Sequence, residues 1–251
     1  MAGALEGKVA LITGAGRGFG RATAEAFLDA GADLVLHYRS SKGDCDELVT
    51  RAQGLGRRAV AVAADLGARQ DVLALAQRAR EEFGHVDVLV NNAGMMNVGG
   101  FLASDPDDWS TEIDVNILGP LLLTRAIAPM MAERGYGKII NLSSQLALRG
   151  WGNGAVYAGT KGFLLSWTKS MAVELGPHGI TVNAVGPGSI LTDMNRRIFP
   201  DDAAVTRKAA ELPLRRMGSP ADVAQTVLFL AAPASDFMTG QMLGINGGSQ
   251  M

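Results

Sequence analysis

The chain has 251 residues, 47% hydrophobic and 19% charged, enough apolar material for a large core and not the composition of a disordered chain. A net charge of −2 gives no reason to expect nucleic acid or an anionic membrane as partner. Cys45, the single cysteine, cannot form an internal disulfide; set in GDCDEL it reads as an ordinary residue, consistent with a cytoplasmic protein. No metal is expected, because His37, His85 and His178 lack ligand spacing. Nor is there a G-x-S-x-G elbow for hydrolase chemistry.

In chain order, short apolar runs stand at Val9–Thr13, Leu34–Tyr38, Ala59–Ala63, Val86–Asn91, Lys138–Leu142, Thr181–Val185 and Met242–Ile245. They are rich in Val, Ile and Leu, as strands buried on both faces are. Amphipathic stretches lie between them, among them Gly20–Ala30, Gln70–Phe83, Pro106–Arg134 and Ala155–Leu175. Gly31, Gly84, Gly135 and Gly176 follow these where helices should end. The alternation predicts an α/β fold: one Rossmann-type, doubly wound parallel sheet of about seven strands with helices on both faces. No boundary divides residues 1–251, so a single domain is expected. Residues 189–220, carrying Pro200, Pro213 and Pro220, are too long for a plain connection and read as a substrate-loop insertion. The N-terminal MAGALEGK is too short for a signal peptide. The most lipid-like stretch, Leu118–Met131, contains Thr124, Arg125 and two prolines and falls short of the roughly 20 residues of a spanning helix.

The first run leads into TGAGRGFG, residues 13–20. A strand, a glycine-rich turn and a helix start suit a pyrophosphate, which backbone N–H groups can hold. The common G-x-G-x-x-G spacing is absent. Thr13-Gly14-x-x-x-Gly18-x-Gly20 instead resembles the loop of short-chain dehydrogenase/reductases, with Gly16 incidental. The resemblance continues through Asn91-Asn92-Ala93-Gly94, DVNILG with Asn116, Ser143-Ser144, Tyr157-x-x-x-Lys161 and Pro187-Gly188 with Thr192. It covers almost the whole chain, in order and at family spacing.

The resemblance implies a catalytic set of Asn116, Ser144, Tyr157 and Lys161. It implies cofactor contacts from Gly14, Arg17, Gly18, Phe19, Gly20, Arg39, Asp65, Leu66, Asn92, Ala93, Gly94, Tyr157, Lys161, Pro187, Gly188, Ile190 and Thr192. Tyr157 and Lys161, four apart, share one face of a helix. An ordinary phenol ionises near about pH 10. An ammonium about 4 Å away would favour phenolate by roughly 4 kcal/mol, enough to bring the group toward neutrality. Ser144 would polarise a substrate carbonyl, and Asn116 in the family holds a water that links the lysine to solvent. Met95, Gln145, Trp151 and Met194 read either as packing or as substrate-pocket lining.

The expected activity is interconversion of a carbonyl and a secondary alcohol with a nicotinamide cofactor. The second strand ends Tyr38-Arg39-Ser40-Ser41, without the acidic residue that bonds a ribose 2′-hydroxyl. Arg39 and Arg17 would suit a 2′-phosphate, so NADP(H) is favoured, with NAD(H) also usable. The length and the GQMLGINGG terminus look like the 3-oxoacyl-carrier-protein reductase and sugar-alcohol dehydrogenase branches. A carrier protein would need basic residues at the mouth, for which Arg134, Lys138 and Arg149 are candidates. The intact tyrosine–lysine pair argues against a non-catalytic nucleotide sensor. The family, and the apolar surplus on Ala155–Leu175, imply a homotetramer acting on a small molecule, without nucleic acid or membrane.

Overall fold

A computed structural model describes residues 3–195 and 198–251. The strands are β1 (Val9–Ile12), β2 (Asp33–Tyr38), β3 (Ala59–Ala63), β4 (Val88–Asn91), β5 (Gly137–Leu142), β6 (Ile180–Pro187) and β7 (Met242–Ile245). They form one sheet in the order β3-β2-β1-β4-β5-β6-β7, every pair parallel. This is the expected doubly wound sheet, and strands from both ends of the chain share it. The winding reverses between β1 and β4. In such sheets a crevice opens there, outside the carboxyl ends of the strands.

Helices cover both faces. Side chains alternate along each strand, so Ala10, Ile12, Leu34, Leu36, Val88 and Val90 face one way. They pack on α1 (Gly18–Asp29), α2 (Lys42–Gly54) and α9 (Pro220–Ala231), through Phe27, Leu48 and Val227. Leu11, Val35, Leu89, Ile139 and Val182 face the other way, against α3 (Arg69–Phe83) and α5 (Gly119–Glu133). Cys45 is buried on α2, and burial pushes its thiol up to about 11.

The stretch read as one helix from Pro106 contains a discontinuity. It runs as α4 (Pro106–Ile113), a π-helical turn over Asp114–Leu118, then α5. By length and composition the 28 residues could cross a membrane, but more than half of the apolar window is buried. Leu123, Ile127 and Met131 lie in the core, which makes this a core helix. The π turn inserts an extra residue and turns Asn116 inward, where it is fully buried. Gly119 lets the helix pass close to β3's exit, since a Cβ there would stand 2.9 Å from the Leu66 carbonyl oxygen.

Two further short helices complete the carboxyl side: α6 (Leu146–Arg149) and α8 (Asp202–Glu211), with the long α7 (Ala155–Leu175) between them. The expected insertion at 189–220 is tied at both ends; its residues 196 and 197 lie outside the described residues. Ile190 bridges Gly218 in parallel. Ser219 and Asp222 form a capping box at the start of α9, and Arg216 grips Asp222 with two bonds of 2.9 Å. That guanidinium holds the Asp222 carboxyl far below its usual range.

Candidate active site

The glycine loop is held from three directions. The Gly14 N–H donates to His37 Nδ1 at 3.0 Å, and His37 Nε2 lies 3.0 Å from the Ala64 carbonyl. That geometry requires a neutral imidazole with its proton on Nε2, and burial lowers the His37 pKa accordingly. Thr13 Oγ1 accepts from the Asn92 and Ala93 N–H groups, each at 2.9 Å. Asn92 Nδ2 in turn donates to the Thr13 carbonyl at 2.7 Å. Asn92 therefore braces the loop as well as lining the crevice.

Gly14 and Gly18 adopt positive φ of 65° and 55°, as the turn requires. Gly20 permits a close approach: a Cβ there would collide with the Gly14 carbonyl and stand 2.6 Å from Asn92 Nδ2. Gly16 is not incidental, contrary to the reading from spacing. A Cβ at Gly16 would overlap the Ser41 hydroxyl and come within 2.7 Å of Ser41 Cβ, so it lets the turn rest on the start of α2.

A groove of about 420 Å³ opens over this loop. Its floor is Gly14, Gly18, Asn92, Ala93 and Gly94. Asp65 and Leu66 bound one end, and Thr192 and Met194 lean in from the 189–220 segment. The first N–H groups of α1 have no partner inside the helix and carry its positive end. Positive-φ glycines, a cradle that any Cβ would fill and free helix donors together fit a dinucleotide. Arg17 and Arg39 flank Ser40 and Ser41 at the rim, both exposed and neither paired with an acid among the described residues. Arg21, by contrast, is engaged by Glu25, Asp44 and Glu47.

Beyond Gly94 the catalytic candidates come together. Asn116 Oδ1 accepts from the Met95 N–H, and its Nδ2 donates to the Met95 carbonyl, both at 2.9 Å, and to Thr160 Oγ1 at 3.1 Å. Lys161 Nζ donates to the Leu142 carbonyl at 2.7 Å and sits 5.6 Å from the Tyr157 ring centre. Ser143 ties β5 to α7 by donating to the Lys161 carbonyl at 2.8 Å, which leaves Ser144 as the hydroxyl beside Tyr157. A Cβ on Gly94 would stand 3.4 Å from Lys161 Nζ and 3.2 Å from Asn116 Oδ1, so glycine keeps the approach from the groove open.

The electrostatics differ from the expectation of an acidified phenol. Burial pushes Tyr157 up to about 12; the negative charge of Glu112 adds to this and the Ser144 hydroxyl opposes it. Burial also pulls Lys161 down to about 8, against the charge of Glu112. The four-residue spacing brought the pair onto one face but did not reveal how strongly desolvation shifts both groups.

Several other candidates are placed differently from their reading. Met95 belongs to the groove wall, its backbone clamped by Asn116. Gln145 is buried and held in place: its Oε1 accepts from Ser249 at 2.6 Å and its N–H donates to the Pro187 carbonyl at 3.0 Å. Trp151 packs against Gly154 at the start of α7. The Ile190 side chain is in the core, and Pro187 and Gly188 end β6 beside the groove rather than in it. Lys138 and Arg134 sit at the amino end of the sheet, paired with Asp236 at 2.6 Å and Asp87 at 3.7 Å, and cannot greet a carrier at the mouth. Residues that spacing did not single out include His37, Thr13 as a brace, Val98 and Glu112. Their roles arise from contacts between distant segments, for which the local pattern holds no signal.

Fold and groove define a dinucleotide-dependent oxidoreductase of the Rossmann type. A family described as enoyl-(acyl carrier protein) reductase matches residues 14–250. A 3-oxoacyl-[acyl-carrier-protein] reductase of Synechocystis is 37% identical, covering 99% of both chains. The crystal structure of a blue fluorescent protein from a metagenomic library, in complex with NADPH, superposes with a TM-score of 0.92 at 37% identity, over 98% of this chain and 99% of that one. A gluconate 5-dehydrogenase from Burkholderia cenocepacia, in complex with NADP and tartrate, gives 0.91 at 35%, over 97% and 95%. The chain belongs to the short-chain dehydrogenase/reductase family, oxidoreductases that interconvert carbonyls and alcohols with NAD(P)(H).

Proposed function

We propose that the protein is an NADP(H)-preferring reductase and dehydrogenase of a small-molecule carbonyl and its secondary alcohol. The observation that carries this reading is the meeting of Ser144, Tyr157, Lys161 and Asn116 at the end of a dinucleotide groove. Bound there, the nicotinamide would supply or accept the hydride. Ser144 donates to the substrate oxygen and orients it. Tyr157 gives that oxygen its proton in reduction and takes it in oxidation. Burial raises the phenol to about 12 in the free chain, so Tyr157 starts there in the protonated form that reduction uses. Asn116 fixes the Met95 backbone and so the groove wall beside Lys161.

Arg39, at the end of β2 where NAD enzymes carry a carboxylate, and Arg17, at the start of α1, support the cofactor preference as guanidiniums without an acidic partner among the described residues. NADPH and NADP in the two similar structures agree with it. The family names of relatives favour a carrier-protein substrate as a second reading, but of the three basic candidates only Arg149 lies on the carboxyl side of the sheet. Exposed apolar residues on the α4–α5 and α7 helices, Ile113, Leu118 and Val173, support helix pairing between subunits in a homotetramer. A nicotinamide absorbance assay over ketones, ketoesters, sugars and polyols, run in both directions with both cofactors, tests the function. Absence of turnover across the panel, or a higher kcat/KM with NADH, counts against it. Light scattering that gave a stable monomer would remove the tetramer.

A further inference from the structure

Glu112 is a buried carboxylate that the reaction as described does not use. It lies on α4, four residues before Asn116 and just ahead of the π-helical turn, and is only 1% exposed. Its Oε1 is buried without a hydrogen-bond partner. A lone buried carboxyl oxygen is costly and calls for a reason. Glu112 also lines a second cavity of about 260 Å³, between residues 97–105, α4 and the first residues of α7. The rim of this cavity includes exposed Phe101, Asp105 and Asp108, and Val98 lines both it and the cofactor groove. Glu112 thus stands between the catalytic helix face and an opening to solvent.

We infer that Glu112 is a positioning residue for proton movement: its carboxyl holds the proton that leaves or re-enters the Tyr157–Lys161 pair by way of the second cavity. The proposal rests on the assignment of Tyr157 as acid and base. In oxidation the alcohol O–H bond breaks toward the Tyr157 oxygen while the carbon yields its hydride to the oxidised nicotinamide and the C=O bond forms. Lys161 and Glu112 feel each other's charge but are not in ion-pair contact, so the proton then passes from the pair through intervening water to the Glu112 carboxylate and out through the cavity; reduction reverses each transfer. The charged groups facing Glu112 are Lys161 and Tyr157 from α7 and Asp108 from its own helix; the Asn97 backbone N–H adds a hydrogen bond. Burial is the largest influence and lifts the carboxyl to about 7, where it can both take and give a proton at physiological pH. The Asn116 amide, already bonded to Met95 and Thr160, has less room for this task.

The test compares Glu112→Gln and Glu112→Asp. The anion raises both Tyr157 and Lys161. Its loss in Glu112→Gln is therefore expected to move the acidic limb of kcat/KM for alcohol oxidation to lower pH and to raise the solvent isotope effect on kcat. Glu112→Asp is expected to restore both toward the parent. In the cofactor-free protein, infrared titration through neutral pH is expected to show a buried carboxylic acid band that Glu112→Gln lacks. A folded Glu112→Gln with an unmoved limb and unchanged isotope effect overturns the proposal. Should Glu112→Gln fail to fold, a parent protein without the titrating buried band overturns it equally. Retained turnover in Tyr157→Phe would instead break the underlying acid–base assignment, so the two failures are distinguishable.

Discussion

The two ends of the sheet treat charge in opposite ways. At the amino end, Lys138 is buried on β5 yet meets Asp236 at 2.6 Å, and Asp87 gathers His85 at 3.2 Å, Arg134 at 3.7 Å and the Val9 N–H at 2.9 Å. At the carboxyl end, Arg17 and Arg39 stand without acidic partners among the described residues, Glu112 keeps a bare oxygen, and Tyr157 and Lys161 are pushed away from their usual ionisation by burial. Both ends hold buried ionisable groups, so burial alone does not mark the site. What separates them is opposite charge close at hand: Lys138 and Asp87 have ion partners, although Asp87 Oδ1 makes no hydrogen bond, whereas among the described residues no ion pair reaches Glu112, Lys161, Arg17 or Arg39. Groups left unanswered by the fold are the ones available to a ligand.

The largest effect expected from this contrast is at Tyr157. Tyr157→Phe keeps the ring and its packing but removes the proton, so kcat should fall by about 10²–10⁴-fold, the range for loss of a general acid–base group. Steady-state kinetics and a cofactor-binding titration check this, the latter expected to change little. The amino end should respond in stability instead. Asp236→Ala strips the buried Lys138 ammonium of its ion partner and should cost about 1–3 kcal/mol. Lys138→Met leaves behind an Asp236 that is more than half exposed, and should cost less. Urea unfolding of the two variants reads the asymmetry, and activity should survive in both. Arg39→Ala comes next: loss of one charge-assisted contact should raise KM for NADPH about tenfold and leave KM for NADH nearly unchanged. An equal change for both cofactors would mean that Arg39 is only solvated.

The smallest expected effect belongs to His37, whose charge must be absent for the Gly14 N–H to reach Nδ1. Burial places its folded pKa below the ordinary 6.5. Above that value neither state binds the proton and His37 adds no pH dependence. As pH falls below it, the unfolded chain takes up a proton that the folded chain refuses, and stability declines until the folded pKa is reached. Urea unfolding at about pH 7.5 and about pH 5.5 should therefore show a steeper loss for the parent than for His37→Gln, whose amide does not titrate. Identical losses would mean that the ring accepts its proton without disturbing the loop.

The glycine loop, the pair on α7 and the alternation of strands and helices were legible in the sequence because each depends on local spacing: glycines at a strand exit, side chains four apart on a helix, apolar runs alternating with amphipathic ones. Gly16, His37, Thr13 and Glu112 were not, since their roles depend on Ser41, Ala64, Asn92 and Lys161 respectively, residues brought near by the sheet. The π turn at Asp114–Leu118 was hidden for a related reason. Its apolar pattern differs from an α-helix by only one residue, and the gain is inward placement of Asn116.

One feature of the sheet bears on how the chain finds its fold. Asn91 and Asn141 are direct neighbours on β4 and β5, joined at 2.9 Å; Asn91 also donates to Thr124 of α5 at 3.2 Å, and Asn141 to Thr168 of α7 at 2.9 Å. Apolar strands rich in Val and Ile can slide past one another at small cost, because one aliphatic contact resembles the next. These amides make each misalignment audible: a slip of one residue throws them onto the opposite face, among Val90 and Leu142, with nothing to bond. The amides thus favour the observed register over any offset one. That register leads directly to Gly94 and Ser144, each three residues beyond a paired asparagine and past the end of its strand.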